Sequence, residues 1–119
     1  MTEEDDGGII ERKNIIIPKS LGASGRNYPV RLPSGGHTKL AEGTEITKVK
    51  VIMGEGTKIP INDRFYLERE YHIPADKWQK VRGEGVVVVG KKTRKAELHW
   101  YEADDYREEM KVKVWRDEG

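Results

Sequence analysis

The stretch "WQKVRGEGVVVVGKKTRKAELHWYE", residues 78–102, decides the fold. Its first half is rich in β-branched valines, which favour strands. "GKKT" (90–93) supplies a tight turn, although it is not the favoured Asn-Gly type. In "RKAELHWYE" the side chains alternate, so that Ala96, Leu98 and Trp100 share one apolar face. The stretch therefore predicts an antiparallel hairpin with one buried face.

Three further segments complete the predicted fold. "EITKVKVIMGEG" (45–56), ended by two glycines, and "MKVKVW" (110–115) alternate between apolar and polar residues, which is typical of half-buried strands. "PINDRFYLEREYHIP" (60–74) is the one good helix candidate, because Asn62 or Asp63 can cap its start and a proline follows its end. The order predicts an α+β fold: an antiparallel β-meander of about four or five strands, one helix packed on one face, and an irregular N-terminal region.

The chain divides into three predicted regions. Residues 1–18 are acidic and glycine-containing at the start, and we expect a flexible segment with a short strand at "NIIIP". Residues 19–43 are rich in glycine and proline, which predicts an irregular region with "YPVRL" as a brief extended segment. Residues 44–119 form the predicted α+β core domain.

The composition excludes several classes of protein. The 119 residues suit one domain, and the net charge of +1 gives no global signal for nucleic-acid binding. There is no cysteine, which rules out disulfides, thiolate metal sites and cysteine nucleophiles. No apolar run approaches the roughly 20 residues of a membrane helix, and "MTEEDDGG" does not resemble a signal peptide. We therefore expect a soluble intracellular protein, or one carried inside a larger particle.

The polar face of the strand around His99 is the first candidate site. Glu97, His99 and Tyr101 alternate with the apolar residues and so share the other face. On the next strand, Met110, Val112 and Val114 are expected in the core, and Lys111, Lys113 and Trp115 away from it. Pairing the two strands about Tyr106 predicts three cross-strand contacts: His99 with Lys113, Tyr101 with Lys111, and Glu97 with Trp115.

This face carries groups that could act on a phosphodiester without a metal. A ribonuclease of this kind needs a base for the 2′-hydroxyl, an acid for the leaving oxygen, and a cation for the phosphate. His99 and Glu97 could share the proton transfers, with Tyr101 beside them, and Lys111 or Lys113 could carry the charge. The alternative is a solvated sheet face, on which Lys and Glu pair across strands without any chemistry.

The hairpin tip "GKKTRK" is the second candidate site. Its four cations, Lys91, Lys92, Arg94 and Lys95, could bind the phosphates of a nucleic acid. Trp115, on the predicted polar face, could stack on a base. Alternatively, the tip is simply solvated and keeps the sheet edge from aggregating.

Neither a metal nor another cofactor is predicted. His37, His72 and His99 are widely separated and lack the paired spacing of zinc ligands. The acidic turn "ADDYREE" lacks the spacing of a calcium loop, and "GEGT" and "GEGV" lack the ending of a phosphate-binding loop.

Several segments resemble a known family. "GRNYPVRLPSGGHTKLAEGTEITKVKV", "GEGTKIPI", "ADKWQKVRGEGVVV" and "RKAELHWYEADD…MKVKVW" look like the C-terminal domain of bacteriophage minor head (head morphogenesis) proteins and related stand-alone phage or mobile-element proteins. The resemblance covers about residues 19–116. Such domains are similar to barnase/EndoU/colicin/RelE-like nuclease modules. The resemblance implies a metal-independent ribonuclease in the bacterial cytoplasm or the virion, with His99 and Lys113 as its active positions.

Two functions remain open from the sequence. The first is a phage-associated, toxin-like effector that cleaves RNA. The second is a non-catalytic phage or mobile-element accessory domain that binds a host or phage protein, or is packaged in the virion. The near-neutral charge favours the second. We expect no membrane partner and take a monomer as the default state.

Overall fold

The computed structural model describes residues 7–17 and 29–116. Their elements, in chain order, are β1 (Ile10–Glu11), β2 (Ile15–Ile16), β3 (Pro29–Arg31), β4 (His37–Lys39), β5 (Glu45–Gly54), α1 (Arg64–Tyr71), a 3₁₀ turn (Ala75–Lys77), β6 (Gln79–Val89), β7 (Lys92–Ala103) and β8 (Tyr106–Trp115). The strands form one sheet in the order β1-β5-β6-β7-β8-β3-β4, and β2 also pairs with β5.

The α+β prediction is confirmed, and the sheet is larger than predicted. The four long strands β5 to β8 form the expected antiparallel meander. Four short strands extend it to eight, and β3 pairs with β8 in parallel through Arg31 and Lys111. The sheet is therefore mixed, and the prediction of about four or five purely antiparallel strands is wrong. The difference arises because β3, which lies within the predicted extended segment, supplies backbone groups to the outer edge of β8.

The sheet curves so that the chain at its β4 edge also contacts the central strand β6. Leu40, just after β4, forms a bridge with Val87 of β6, and the Ala41 N–H donates to Val86 O at 2.9 Å. The Thr38 hydroxyl donates to Val88 O. The sheet thus curls around a core to which β3 and β4 also contribute, and that core consists of Ile17, Val30, Leu40, Ile46, Val49, Val51, Val81, Val87, Ala96, Leu98, Trp100, Met110 and Val112.

The helix packs over a second, smaller cluster. Leu67 is the one buried residue of α1, and it meets Ile61, Ile73, Trp78 and Ala103. With eight residues and one anchor, α1 depends on tertiary contacts for its stability. Among the residues that the structure describes, none forms a helix long and apolar enough to cross a membrane.

A bulge in β5 explains an irregular spacing of its apolar residues. Lys48 has a positive φ of 54°, and the pairing with β6 shifts between Thr47 and Lys50. The extra residue turns the strand, so Ile46 and Val49 are both buried although they lie three positions apart.

The predicted register between β7 and β8 is wrong, because the hairpin turns earlier than predicted and β8 contains two bulges. The hairpin turns at Asp104 and Asp105, so most of "ADDYREE" is strand and not connection. Glu109 has a φ of 58°, and a second irregularity lies opposite the step from Glu97 to Leu98. The observed partners are His99 with Lys111, Tyr101 with Glu108, Glu97 with Val114, and Ala96 with Trp115.

The second bulge also exchanges two side chains. Val114, predicted in the core, is 42% exposed. Trp115, predicted on the polar face, packs against the main core. The single extra residue reverses which face each later side chain occupies, because side chains in a strand alternate.

Candidate functional site

His99 lies on β7, with polar neighbours on both adjacent strands. Its register partners are Arg82 on β6 and Lys111 on β8. The residue is only 8% exposed, although it lies on the face opposite the apolar core. Its Nε2 lies 2.8 Å from Oε2 of Glu97. The sheet therefore holds the imidazole rigidly against a carboxylate two residues earlier in the same strand.

The partners of Glu97 keep it ionised. Arg116 Nη2 donates to Oε1 at 2.5 Å, and Arg82 Nη2 lies 3.2 Å from the same oxygen. Burial acts to raise the pKa of Glu97, but the hydrogen bonds from His99 and Arg116 and the charge of Arg82 outweigh it, so the pKa lies below its ordinary value. Glu97 is therefore an anion at neutral pH and can only accept hydrogen bonds.

This anion determines the tautomer of His99. Burial lowers the pKa of His99, while the hydrogen bond and charge of Glu97 partly offset that effect and Lys80 and Lys113 reinforce it. A neutral ring whose Nε2 faces a carboxylate must carry its proton on Nε2. Nδ1 then presents its lone pair. That atom is buried and, among the described residues, has no hydrogen-bond partner.

A second buried glutamate extends the polar cluster. Glu84 lies opposite Glu97 on β6, and its Oε1 is 3.6 Å from Lys95 Nζ and 3.7 Å from Lys48 Nζ. Arg116 Nε lies 3.9 Å from Glu84 Oε2, so one guanidinium contacts both carboxylates. These cations cover the two glutamates and compensate for the cost of burying them.

A cavity of about 370 Å³ opens beside His99. It lies where β6, β7, β8, β3 and β4 meet the start of α1. Its lining residues are Pro29, Arg31, His37, Asp63, Lys80, His99, Trp100, Tyr101, Glu109, Met110 and Lys111. The volume is within the range of small-ligand sites.

The structure brings three of the five predicted catalytic residues into this cavity. His99, Tyr101 and Lys111 line it. Glu97 does not, because it lies behind His99 in the ion cluster. Lys113 does not line it either, although its charge lowers the pKa of both His99 and Lys80.

Lys80 and Tyr101 form a contact pair in the cavity wall. They are register partners, and Lys80 Nζ lies 5.9 Å from the Tyr101 ring centroid. Burial lowers the pKa of Lys80, and the charges of Lys111 and Lys113 lower it further. The Tyr101 hydroxyl donates to Asp63 Oδ2 at 3.2 Å, and burial together with that carboxylate raises its pKa to about 12.

Two tyrosines tie α1 to the bulge in β8. The hydroxyls of Tyr66 and Tyr71 both donate to Oε2 of Glu109 at 2.8 Å. Asp63 is the N-cap residue of α1, as the sequence allowed, but its side chain makes no capping hydrogen bond and accepts from Tyr101. The helix is therefore held by Leu67, by the Tyr71 ring packed beside Trp78, and by the tyrosine–carboxylate bonds.

The predicted nucleic-acid-binding residues lie in three different settings. Lys91 and Lys92 are exposed at the hairpin tip. Arg94 stacks over the ring of Trp115, 4.0 Å from its centroid, and Lys95 faces Glu84. Seven positions separate Lys92 from His99, which is about 23 Å along a strand. The tip and the cavity are therefore separate surfaces.

Five polar cavity residues were not predicted as site residues from the sequence: Arg31, His37, Asp63, Lys80 and Glu109. Lys80 lies opposite Tyr101 because the hairpin turns at Gly90 and Lys91. The predicted turn "GKKT" (90–93) would instead have placed Arg82 opposite Tyr101. No local pattern could have found Arg31 and His37, because they reach the site through the parallel pairing of β3 with β8.

Comparisons with protein-family models, with curated proteins and with solved structures find nothing that matches this chain. The resemblance to phage minor head proteins therefore stays a prediction. Within residues 7–17 and 29–116, no group of three His, Cys, Asp or Glu side chains could hold a metal ion.

Proposed function

We propose that this domain cleaves RNA by metal-independent proton transfer at His99, as a phage-associated, toxin-like effector. One observation carries the proposal: a buried neutral imidazole, oriented by Glu97, lies in the wall of a cavity that it shares with Lys80 and Lys111. A base of this kind combined with cations is what phosphodiester transfer to a 2′-hydroxyl needs. The phage setting is supported by the sequence resemblance alone.

In the proposed reaction, Nδ1 of His99 takes the proton of a ribose 2′-hydroxyl. The 2′-oxygen forms a bond to the adjacent phosphorus, and the bond from phosphorus to the 5′-oxygen of the next nucleotide breaks. Lys80 donates a proton to that oxygen, because its lowered pKa makes its ammonium a stronger acid than that of an ordinary lysine. The products are a 2′,3′-cyclic phosphate and a 5′-hydroxyl.

The remaining residues have supporting roles in this proposal. Lys111, directly opposite His99, stabilises the negative charge of the phosphate. Glu97 fixes the orientation and the tautomer of the imidazole. It exchanges no proton with the substrate, because both of its oxygens already accept hydrogen bonds. Since Nδ1 is covered in the free protein, the 2′-hydroxyl reaches it after a small movement of the cavity side chains.

The second candidate is a non-catalytic domain that binds a protein. The observation that favours it is Ile16, which is 71% exposed on the short strand β2. An apolar side chain on a short strand can contact a partner that adds a strand to the sheet. In that case Glu97 and His99 have only a structural role on the polar face of β7.

The test is cleavage of a labelled single-stranded RNA in EDTA by the wild type and by His99→Gln. We expect the rate to fall by about 10²- to 10⁴-fold, the usual contribution of a general base. His72→Gln is the matched control, because His72 is exposed at the end of α1 and outside the cavity. Mass spectrometry should find a 2′,3′-cyclic phosphate on the product.

Further variants keep the test decisive if His99→Gln folds poorly. Lys80→Met and Lys111→Gln change exposed or half-buried side chains and should also slow cleavage at least tenfold. Wild-type protein that leaves RNA intact overturns the enzyme proposal for that substrate. Equal cleavage by the wild type and all three variants removes these residues from the mechanism.

A further inference from the structure

Five basic residues lie side by side across five adjacent strands. The register pairs Arg82 with His99, His99 with Lys111, Lys111 with Arg31, and Arg31 with His37. They come from β6, β7, β8, β3 and β4, and in sequence they are up to 80 positions apart. We name this set the basic row: Arg82, His99, Lys111, Arg31 and His37.

Four of the side chains lie on the same face of the sheet by alternation, and the fifth, His37, lines the same cavity as Arg31, His99 and Lys111. In each of the four strands β6, β7, β8 and β3, a residue next to the row member is buried in the main core: Val81, Leu98, Met110 and Val30. Because successive side chains alternate, these four row members point away from that core. Four inter-strand gaps make the row about 19 Å long.

We propose that the basic row is a phosphate-binding track for single-stranded RNA, which crosses the strands and passes His99. The inference rests on the proposed function for the identity of the ligand. It adds that the basic row binds several consecutive phosphates, and that the hairpin tip takes no part in this binding.

The middle of the row is rich in uncompensated charge. Arg31 and Lys111 are exposed, and within the described part of the chain neither makes an ion pair, whereas Arg82 faces Glu97. Lys80 borders the row and is repelled by Lys111 and Lys113. A polyanion bound here would relieve that repulsion and release counterions.

The two acids of the cavity, Asp63 and Glu109, offset only part of this charge, and each also accepts a hydrogen bond from a tyrosine. Asp63 accepts from Tyr101, and Glu109 accepts from Tyr66. Lys80, Lys111 and Arg31 therefore face the cavity as three cations against two hydrogen-bonded carboxylates.

Two exposed aromatic rings on α1, the helix that adjoins the cavity, favour a single strand over a duplex. Phe65 is 56% exposed and Tyr66 is 41% exposed, and the Tyr66 hydroxyl contacts Glu109 in the cavity wall. Unpaired bases stack on such rings, whereas the bases of a duplex are covered by their neighbours.

Binding of a fluorescent 2′-O-methyl RNA 12-mer tests the track separately from catalysis, because the blocked 2′-oxygen cannot attack the phosphate. Arg31→Gln and Lys111→Gln should each weaken binding severalfold at low salt and lower the slope of log K against log salt by about 1. Lys58→Gln removes the same charge from an exposed loop away from the row and should change neither quantity.

The outcomes separate the two proposals. If the row variants bind like Lys58→Gln, or if an RNA duplex competes as well as the single strand, the track is wrong even when His99 proves catalytic. If the row variants lose affinity while the wild type leaves ordinary RNA intact, the track stands and the proposed cleavage fails. Absence of binding by the wild type at low salt overturns the track.

Discussion

Glu109 places Lys111 directly opposite His99. Toward the turn, Tyr101 pairs with Glu108, so an unbroken ladder would bring Met110 opposite His99. Glu109 is the extra residue, with a φ of 58°, and it moves the next cation into register with the imidazole. Without this bulge, the cavity would have a thioether where it has an ammonium group.

The first prediction concerns the backbone of this bulge. We expect Glu109→Gly to be more stable than Glu109→Val by about 1–2 kcal/mol, because a β-branched residue is strained at positive φ. Both variants lose the bonds to Tyr66 and Tyr71, so the comparison isolates the backbone. Urea denaturation measures the difference.

Glu108 provides the matched control for that comparison. It lies one position earlier in β8 and, unlike Glu109, does not have a positive φ. There the order should reverse, since valine suits a strand better than glycine. The same order at both positions would contradict the assignment of strain to Glu109.

The second prediction is that Glu97→Gln destabilises the fold and changes the titration of His99. The variant leaves Arg82 and Arg116, both partly exposed, beside a neutral amide, so we expect a loss of about 1–2 kcal/mol. The charge and hydrogen bond of Glu97 raise the pKa of His99, so the pKa should fall further in the variant. NMR titration of the ring measures this shift.

Glu45→Gln is the control for the loss of a carboxylate. Glu45 is exposed and accepts one hydrogen bond from Asn14. It should cost less than about 1 kcal/mol and leave the titration of His99 unchanged. A rise in the His99 pKa in Glu97→Gln would contradict the role assigned to this carboxylate.

The third prediction concerns stability against pH. The folded pKa of His99 lies below its ordinary value of 6.5, so the unfolded chain binds more protons between the two values. Stability should therefore fall as pH decreases from about 6.5 through the folded pKa, by the contribution of this group. The measurement is the free energy of unfolding in urea between pH 5 and 8.

His99→Gln supplies the comparison, because glutamine does not titrate. The slope of stability against pH just below 6.5 should be smaller in the variant than in the wild type. Equal slopes would show that His99 does not bind its proton less tightly in the folded state.

The fourth prediction tests how closely β5 packs on β6. A Cβ added at Gly83 would lie 2.6 Å from Ile46 Cγ2 and 3.2 Å from the Trp100 ring. Gly83→Ala should therefore cost about 1–3 kcal/mol, since the core must shift to admit the methyl group. Gly36→Ala, with no atom within 4 Å of its added Cβ, should change stability by less than about 0.5 kcal/mol.

The alternation of apolar and polar residues along the sequence was enough to predict the long strands and the buried side of β7. Ala96, Leu98 and Trp100 are buried as expected, and α1 begins after Asp63, a predicted capping residue. These features depend on local periodicity, which a single sequence displays.

The register and the contributions of β3 and β4 could not be predicted in the same way. The bulge at Glu109 leaves no distinct mark in "YREEMKVKVW", because the preferred residue at such a position is glycine. The burial of Glu97 depends on Arg116, which lies 19 positions away. Arg31 reaches Lys111 through a parallel pairing across 80 residues, and periodicity carries no information about such contacts.

The curl of the sheet determines how far the chain can be shortened from its N-terminal side. Val30 and Leu40 complete the main core, and β3 covers the outer edge of β8. A fragment that begins at Thr44 would lose both core residues and expose an unpaired strand edge, which favours aggregation. β3 and β4 thus protect the edge of β8 from pairing with another chain, and they form one cooperative unit with the long strands.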